Sequence, residues 1–283
     1  MLHMRKERGV ATQDYEAETL EGTLALERIE VNLFRGVASG SQGPRIFGGL
    51  VIGQALVAAY QTVEDRFCHS LHCYFLRPGD PRIPILYEVD RARDGGSFTT
   101  RRVTAIQHGA QIFNLAASFQ VAEPGAEHQD PMPDVPRPEE LAADPNWRDW
   151  RRPVEIRPVE PFDRASPTVR PAFQNVWMRA TDPLGADPAA HQAAIAYASD
   201  LSFLSTAMGP HGLGWMTPGL QTASLDHAVW FHRKTDFNDW HLYAQRSPSA
   251  SGARGFNLGE IFRSDGVLVA STAQEGLMRR RPA

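Results

Sequence analysis

Apolar and polar positions along the chain fall into two patterns, and each pattern occurs twice. Residues 48–63, GGLVIGQALVAAYQTV, are apolar on almost every side of a 3.6-residue turn, which predicts a helix that must be covered all round. Four stretches follow, rich in β-branched and aromatic residues and split by Gly and Pro: HSLHCYFLRPGD, IPILYEVDRARDG, GSFTTRRVTAIQHG and AQIFNLAASFQV. They predict a meander of antiparallel strands. Residues 189–208 read as a second helix, followed by the strands LQTASLDHAVWFHR, WHLYAQRSPSAS, ARGFNLGEIFRSDG and VLVASTAQEGLM.

Local matches accompany the repeated order. Ser70-Leu71 parallels Ser224-Leu225, and SFQ ending at Gln120 parallels TAQ ending at Gln274. A period of about 150 residues argues for internal duplication. Between the two portions lies a charged stretch dense in proline, with eleven of the 21 prolines between Pro124 and Pro171. It reads as a long connector held partly against the surface. The expected organisation is an N-terminal repeat over 1–121, a connector over 122–171 and a C-terminal repeat over 172–283. A helix apolar all round, followed by a meander, suggests a curved antiparallel sheet wrapped around it. That is an α+β architecture, the hot-dog fold, here twice in one chain and forming one continuous curved sheet.

Composition narrows the function classes. The chain has 283 residues, 42% hydrophobic and 22% charged, with a formal net charge of −4. No basic surplus points to nucleic acid, and no 18-residue apolar run suggests a membrane span. The N-terminus lacks the apolar core of a secretory signal, and the C-terminal RRRPA is not a peroxisomal address. Two cysteines, Cys68 and Cys73, fit a reducing compartment, so a cytoplasmic protein is expected.

One residue disturbs the second helix. Asp200 has Ala196 and Tyr197 one turn before it and Phe203 and Leu204 one turn after, so in a continuous helix it lies on an apolar face. A lone carboxylate there costs several kcal/mol or takes up a proton. Either Asp200 has polar company from elsewhere, or it caps a helix break, with Ser199 and Ser202 flanking it.

Several long motifs then bear on its role. RIFGGLVIGQALVAA, HSLHCYFLRPGD, DGGSFTTRRVTAIQHG, SLDHAVWFHR, ASGARGF and DGVLVASTAQEGLMR occur in this order, and the sequence resembles the type II acyl-CoA thioesterases, which are double hot-dog proteins. The resemblance runs from about residue 20 to the end and is weakest in the connector. It implies hydrolysis of an acyl-CoA to a free fatty acid and CoA, with no metal, no cofactor and no covalent intermediate. It also implies that the attacking water is held by an Asp, a Ser or Thr and a Gln. By motif these fall on Asp200 in YASDLSFL, Ser224 in TASLDH and Gln274 in STAQEG. A homodimer or homotetramer is expected on the same ground. At Leu50 the family commonly carries Gln, and no site role passes to the leucine.

Bottom-up, the three types suit the reaction. A thioester is an activated acyl group, a carboxylate in apolar surroundings is a stronger base, and Ser and Gln fix the direction of a water lone pair. The glycines Gly48, Gly49 and Gly53 suggest a close backbone approach at the first helix. That helix carries no acidic residue, so one active site per chain is expected, in the second repeat.

Other motifs carry less. In a strand, Cys68 and His72 face one way and His69 and Cys73 the other, so the four cannot converge on a metal. Asp226, His227 and His232 in LDHAVWFHR read as a chance grouping, with the two histidines on opposite faces. No G-x-S-x-G elbow, Rossmann glycine spacing or Walker lysine is present. An enoyl-CoA hydratase of the same fold and a non-catalytic acyl-CoA-binding protein are the alternative functions. The hydratase chemistry wants a His beside the Asp, and no His stands within a turn of Asp200.

Overall fold

A computed structural model describes residues 19–38, 45–142, 153–161, 163 and 166–280. In chain order the elements are α1 (Leu20–Leu24), β1 (Leu26–Glu30), β2 (Leu33–Gly36), α2 (Gly48–Tyr60), β3 (Phe67–Phe75), β4 (Ile85–Asp94), β5 (Phe98–Gln107) and β6 (Ala110–Gln120). Then come β7 (Val154–Pro158), β8 (Phe173–Ala180), α3 (Pro188–Ser199), α4 (Phe203–Met208), β9 (Leu220–Ser224), β10 (Asp226–Phe231), β11 (His241–Ser251), β12 (Arg254–Arg263) and β13 (Leu268–Arg280).

All thirteen strands join one antiparallel sheet in the order β1-β2-β4-β5-β6-β3-β10-β13-β12-β11-β8-β7, with β9 on β13. The order reads the same from either end once each half is matched to its counterpart. Each half is a hairpin, a helix and four strands, of which the last three form the expected meander while the first, β3 or β10, lies beside the last, β6 or β13, instead of beside its successor; β3 pairs with β10 at the centre. This is the double hot-dog. β7 and its partner β8 play in the second half the part that β1 and β2 play in the first. Thus the proline-rich stretch read as connector carries a strand of the sheet. Within its described part, Met132, Val135 and Leu141 lie against Trp177 and Trp240, and the Trp177 indole donates to the Pro136 carbonyl at 2.9 Å; residues 143–152, 162, 164 and 165 of the stretch lie outside the described residues.

The two central helices run antiparallel in the concave face. Gly49 faces the Tyr197 carbonyl, and a β-carbon at Gly53 would come within 3.2 Å of the Ala193 carbonyl. Both helices are buried along nearly their whole length. The one polar residue inside α2, Gln54, is bonded to the Thr23 and Val37 carbonyls and to the Tyr87 hydroxyl. Leu50 lies in this core, 1% exposed.

The expectation of one helix over 189–208 is corrected. The chain breaks after Ser199, and Ser202 sits in the left-handed region at φ 61° before α4 begins. The Tyr243 hydroxyl takes the free Ser199 carbonyl at 3.0 Å. The strand expected over 220–233 is likewise divided, at Leu225. A third correction concerns β3. A bulge between Cys68 and Ser70 shifts its alternation, so Cys68 and Cys73 are both buried, His69 is half-buried and His72 is exposed.

Candidate active site

Asp200 is the C-cap of α3, half-buried, with φ −84° and ψ −12°. Both readings of the sequence therefore hold: it ends a helix, and it has polar company. Ser224, the last residue of β9, donates to Asp200 Oδ1 at 3.2 Å. Gln274, inward-facing on β13 and 1% exposed, donates to the same oxygen through Nε2 at 2.6 Å. Gln274 Nε2 also lies 3.3 Å from Ser224 Oγ. The three residues singled out in the sequence thus meet at one carboxylate oxygen, brought there by a helix end and two strands that pair with each other at Ser224 and Gly276.

The second carboxylate oxygen, Oδ2, points at the start of α2. A β-carbon at Gly48 would lie 2.7 Å from it. The positive end of the α2 dipole therefore faces the carboxylate, offsetting the unfavourable position of an acid at the C-terminus of its own helix. The first N–H groups of α2 have no intrahelical acceptors, and Phe47 at the N-cap provides no side-chain bond.

His227 is the residue that sequence reasoning missed. It is 1% exposed on β10, and its Nδ1 lies 3.1 Å from Gln274 Nε2. Its Nε2 lies 2.8 Å from Ser199 Oγ, which donates onward to the Ala196 carbonyl at 3.0 Å. Burial pushes the imidazole pKa down to about 3, so the ring is neutral. No local signal could have found it, because its partner lies 47 positions away on a neighbouring strand. The rest of LDHAVWFHR goes elsewhere. Asp226 accepts from the Glu275 backbone N–H at 2.7 Å, and the exposed His232 meets Ser271.

The remaining candidates do not gather. His69 is bonded to Ser118 and His72 stacks edge-on against Trp230. Burial pushes both cysteine thiols up. Ser70 and Gln120 are not the spatial counterparts of Ser224 and Gln274. Tyr87 pairs with Ala105 just before a bulge, and Tyr243 pairs with Ile261 just before the equivalent bulge. Counting four residues back from each, Arg101 matches Asn257. Arg101 pairs with Ala117 and Asn257 pairs with Gln274. The first repeat therefore has Ala117 where the second has Gln274.

A cavity of about 860 Å³ opens at the other end of the helix pair, between Leu24, Val57, Tyr60, Phe67, Ala190 and Lys234. None of Asp200, Ser224 or Gln274 lines it, and of its acids Glu21, Asp65 and Asp187 the last is occupied as the α3 cap, accepting from Ala189 N at 3.0 Å. The hydrogen bonds that converge on Asp200 and the cavity thus lie at different ends of the helix pair. Among the described residues no helix is long and apolar enough to cross a membrane.

Residues 149–277 match the acyl-CoA thioesterase family, and residues 37–120 match the acyl-CoA thioesterase N-terminal domain. Acyl-coenzyme A thioesterase 8 of Homo sapiens is 41% identical over 300 residues, covering 98% of this chain and 93% of the relative. Acyl-CoA thioesterase 2 of Haemophilus influenzae is 40% identical over 272 residues, covering 90% and 95%. The crystal structure of an acyl-CoA thioesterase II from Mycobacterium marinum superposes with a TM-score of 0.78 at 44% identity, covering 93% of this chain and 99% of that one.

Proposed function

The chain belongs to the acyl-CoA thioesterase family, and from that premise we propose that it hydrolyses acyl-CoA by direct attack of a water held between Asp200, Ser224 and Gln274. The carrying observation is the double donation to Asp200 Oδ1 from Ser224 and Gln274. The other carboxylate oxygen, Oδ2, faces the start of α2. It lies beside Gly48, where the missing side chain leaves room.

The steps balance as follows. Asp200 takes a proton from the water as its oxygen attacks the thioester carbonyl carbon. Negative charge develops on the carbonyl oxygen, and the first N–H groups of α2, which have no intrahelical acceptor, are the donors assigned to it. The carbon–sulfur bond then breaks, and the proton passes from Asp200 to the CoA thiolate, leaving the fatty acid and CoA. Holding the water in line removes most of the orientational cost of a bimolecular attack. No nucleophilic side chain is needed, because a thioester is already activated.

Free-thiol detection across a panel of saturated acyl-CoAs, short to long, tests this reading. Release of CoA from saturated substrates supports it. Conversion of 2-enoyl-CoA alone means a hydratase, and tight binding without turnover means an acyl-CoA-binding protein. The geometry disfavours the hydratase, because Gln274 stands between His227 and Asp200.

A further inference from the structure

We propose that His227, oriented by Ser199, is a positioning residue that locks the Gln274 amide with its NH2 toward Asp200 and its carbonyl toward the attacking water. The proposal rests on the reading of the trio given above.

A glutamine amide can rotate by half a turn, exchanging donor for acceptor. Only one orientation serves here. Gln274 Nε2 has two hydrogens, and its two shortest contacts are Asp200 Oδ1 at 2.6 Å and His227 Nδ1 at 3.1 Å, with Ser224 Oγ farther at 3.3 Å. Nδ1 accepts only if the ring proton sits on Nε2. Ser199 enforces that tautomer: its hydroxyl hydrogen goes to the Ala196 carbonyl, so toward the ring it presents a lone pair, 2.8 Å from Nε2. The chain of donors thus runs His227 to Ser199 to Ala196 in one direction and Gln274 to His227 in the other. Gln274 Oε1 is left buried and without a protein partner.

Turnover makes this lock necessary. While Asp200 is ionised it holds the amide NH2 by itself. Once it has taken the water proton, its claim on the amide weakens, and the acceptor that does not change charge is His227. A neutral, buried imidazole is suited to that, since a protonated ring would repel the amide hydrogens.

The duplication supplies an independent argument. Gln274 corresponds to Ala117 in the first repeat. The β3 residue paired with Ala117 is Leu71. The β10–β13 register, Ala228 with Ala273, sets His227 against Gln274 in the same way. Histidine and glutamine occur together in one repeat and are both replaced by apolar residues in the other.

The test is a double-mutant cycle on the full chain with a saturated acyl-CoA. His227→Leu should lower kcat by about tenfold or more with KM within about twofold, the scale of losing a positioning contact. His227→Asn, whose side-chain oxygen can accept from Gln274, should recover most of that loss. In a Gln274→Ala background His227→Leu should cost nothing further. Nitrogen-15 NMR of the ring should report the Nε2–H tautomer, still neutral at pH 5, and does not depend on any variant folding. An undiminished kcat in His227→Leu, an equal cost with and without Gln274, or an Nδ1–H tautomer would each overturn the proposal. If Asp200→Asn and Gln274→Ala also turn over normally, the trio itself is wrong. If they are impaired while His227→Leu is not, only the positioning role fails.

Discussion

Asp200 Oδ2 occupies the place beside Gly48 where any other residue would carry its β-carbon, 2.7 Å from that point. Gly48→Ala should therefore displace the carboxylate and lower kcat by roughly tenfold or more, as small misplacements of catalytic groups do. Its stability should change little, because the gain of up to about 1 kcal/mol from alanine in the helix offsets the adjustment of the Asp200 carboxylate and of the Phe75 ring, 3.0 Å from the added methyl. Gly49→Ala is the contrast. Its methyl meets the Tyr197 backbone carbonyl and the Phe47 ring, which cannot both yield. It should cost about 1–3 kcal/mol, the usual scale of overpacking. Melting curves and kinetics on the two variants separate the effects.

Asp200→Asn should leave the fold intact and cut turnover about 10²-fold or more, the scale of losing a general base. Ser224→Thr should keep most activity, because the hydroxyl that donates to Asp200 is retained, whereas Ser224→Ala should not. Near-normal turnover in a folded Asp200→Asn protein is the result that would remove the assignment.

Much of this was legible in the sequence, for identifiable reasons. The repeated order of apolar helix and meander survives in local periodicity, so the fold could be read. Asp200 stood out because a carboxylate conflicted with its helical neighbours, and motif resemblance supplied Ser224 and Gln274. What could not be read depends on non-local register. The bulge beside Cys68 turns one strand face over without any local signal. The break at Ser202 depends on a left-handed residue that the Ser199 to Ser202 stretch permits but does not require. β7 hides among prolines because its pairing with β8 lies on the outer edge of the sheet, where a poor strand sequence is tolerated. His227 looked like a chance histidine because its meaning lies in a partner on another strand.

Acid should destabilise the fold through two buried histidines. Burial lowers the pKa of His227 to about 3 and that of His241 to about 4, against an ordinary value near 6.5. Above pH 6.5 both are neutral folded and unfolded, and the stability is complete. Below it the unfolded chain binds protons that the folded chain does not, so stability falls as pH drops toward 4. Each histidine contributes a slope of up to about 1.4 kcal/mol per pH unit. Denaturant titrations from pH 7 to pH 4.5 should show this slope, and His227→Asn should lessen it by about one proton. An unchanged slope in that variant would mean that His227 is not held neutral by burial.

The asymmetry of the two repeats yields the last prediction. In the second repeat α3 ends on Asp200, and Asn257 and Gln274 pair across β12 and β13. In the first, α2 ends on Gln61, and the positions matching Asn257 and Gln274 hold Arg101 and Ala117. Arg101 is 2% exposed, and its guanidinium fills the space, donating to Thr62 Oγ1 at 2.8 Å, to the Thr62 carbonyl at 2.9 Å and to Asp94 Oδ1 at 2.6 Å. A buried arginine with its donors satisfied is a structural plug, and the residue that ends α2 is Gln61, an amide that cannot act as a base. Ser70 and Gln120 do not occupy the positions matching Ser224 and Gln274, and Gln120, which lines the cavity beside Tyr60 and Gln61, donates to Glu123 at 3.1 Å. Alanine at Ser70 and at Gln120 should therefore change turnover by less than about threefold, the level of surface or structural substitutions that touch no reacting group. Ser224→Ala and Gln274→Ala should cost at least about tenfold each, as expected when groups that orient the nucleophile are removed. Titration with a non-hydrolysable acyl-CoA analogue should count one catalytic site per chain. A Ser70→Ala loss equal to that of Ser224→Ala would show that the first repeat keeps a working site of its own.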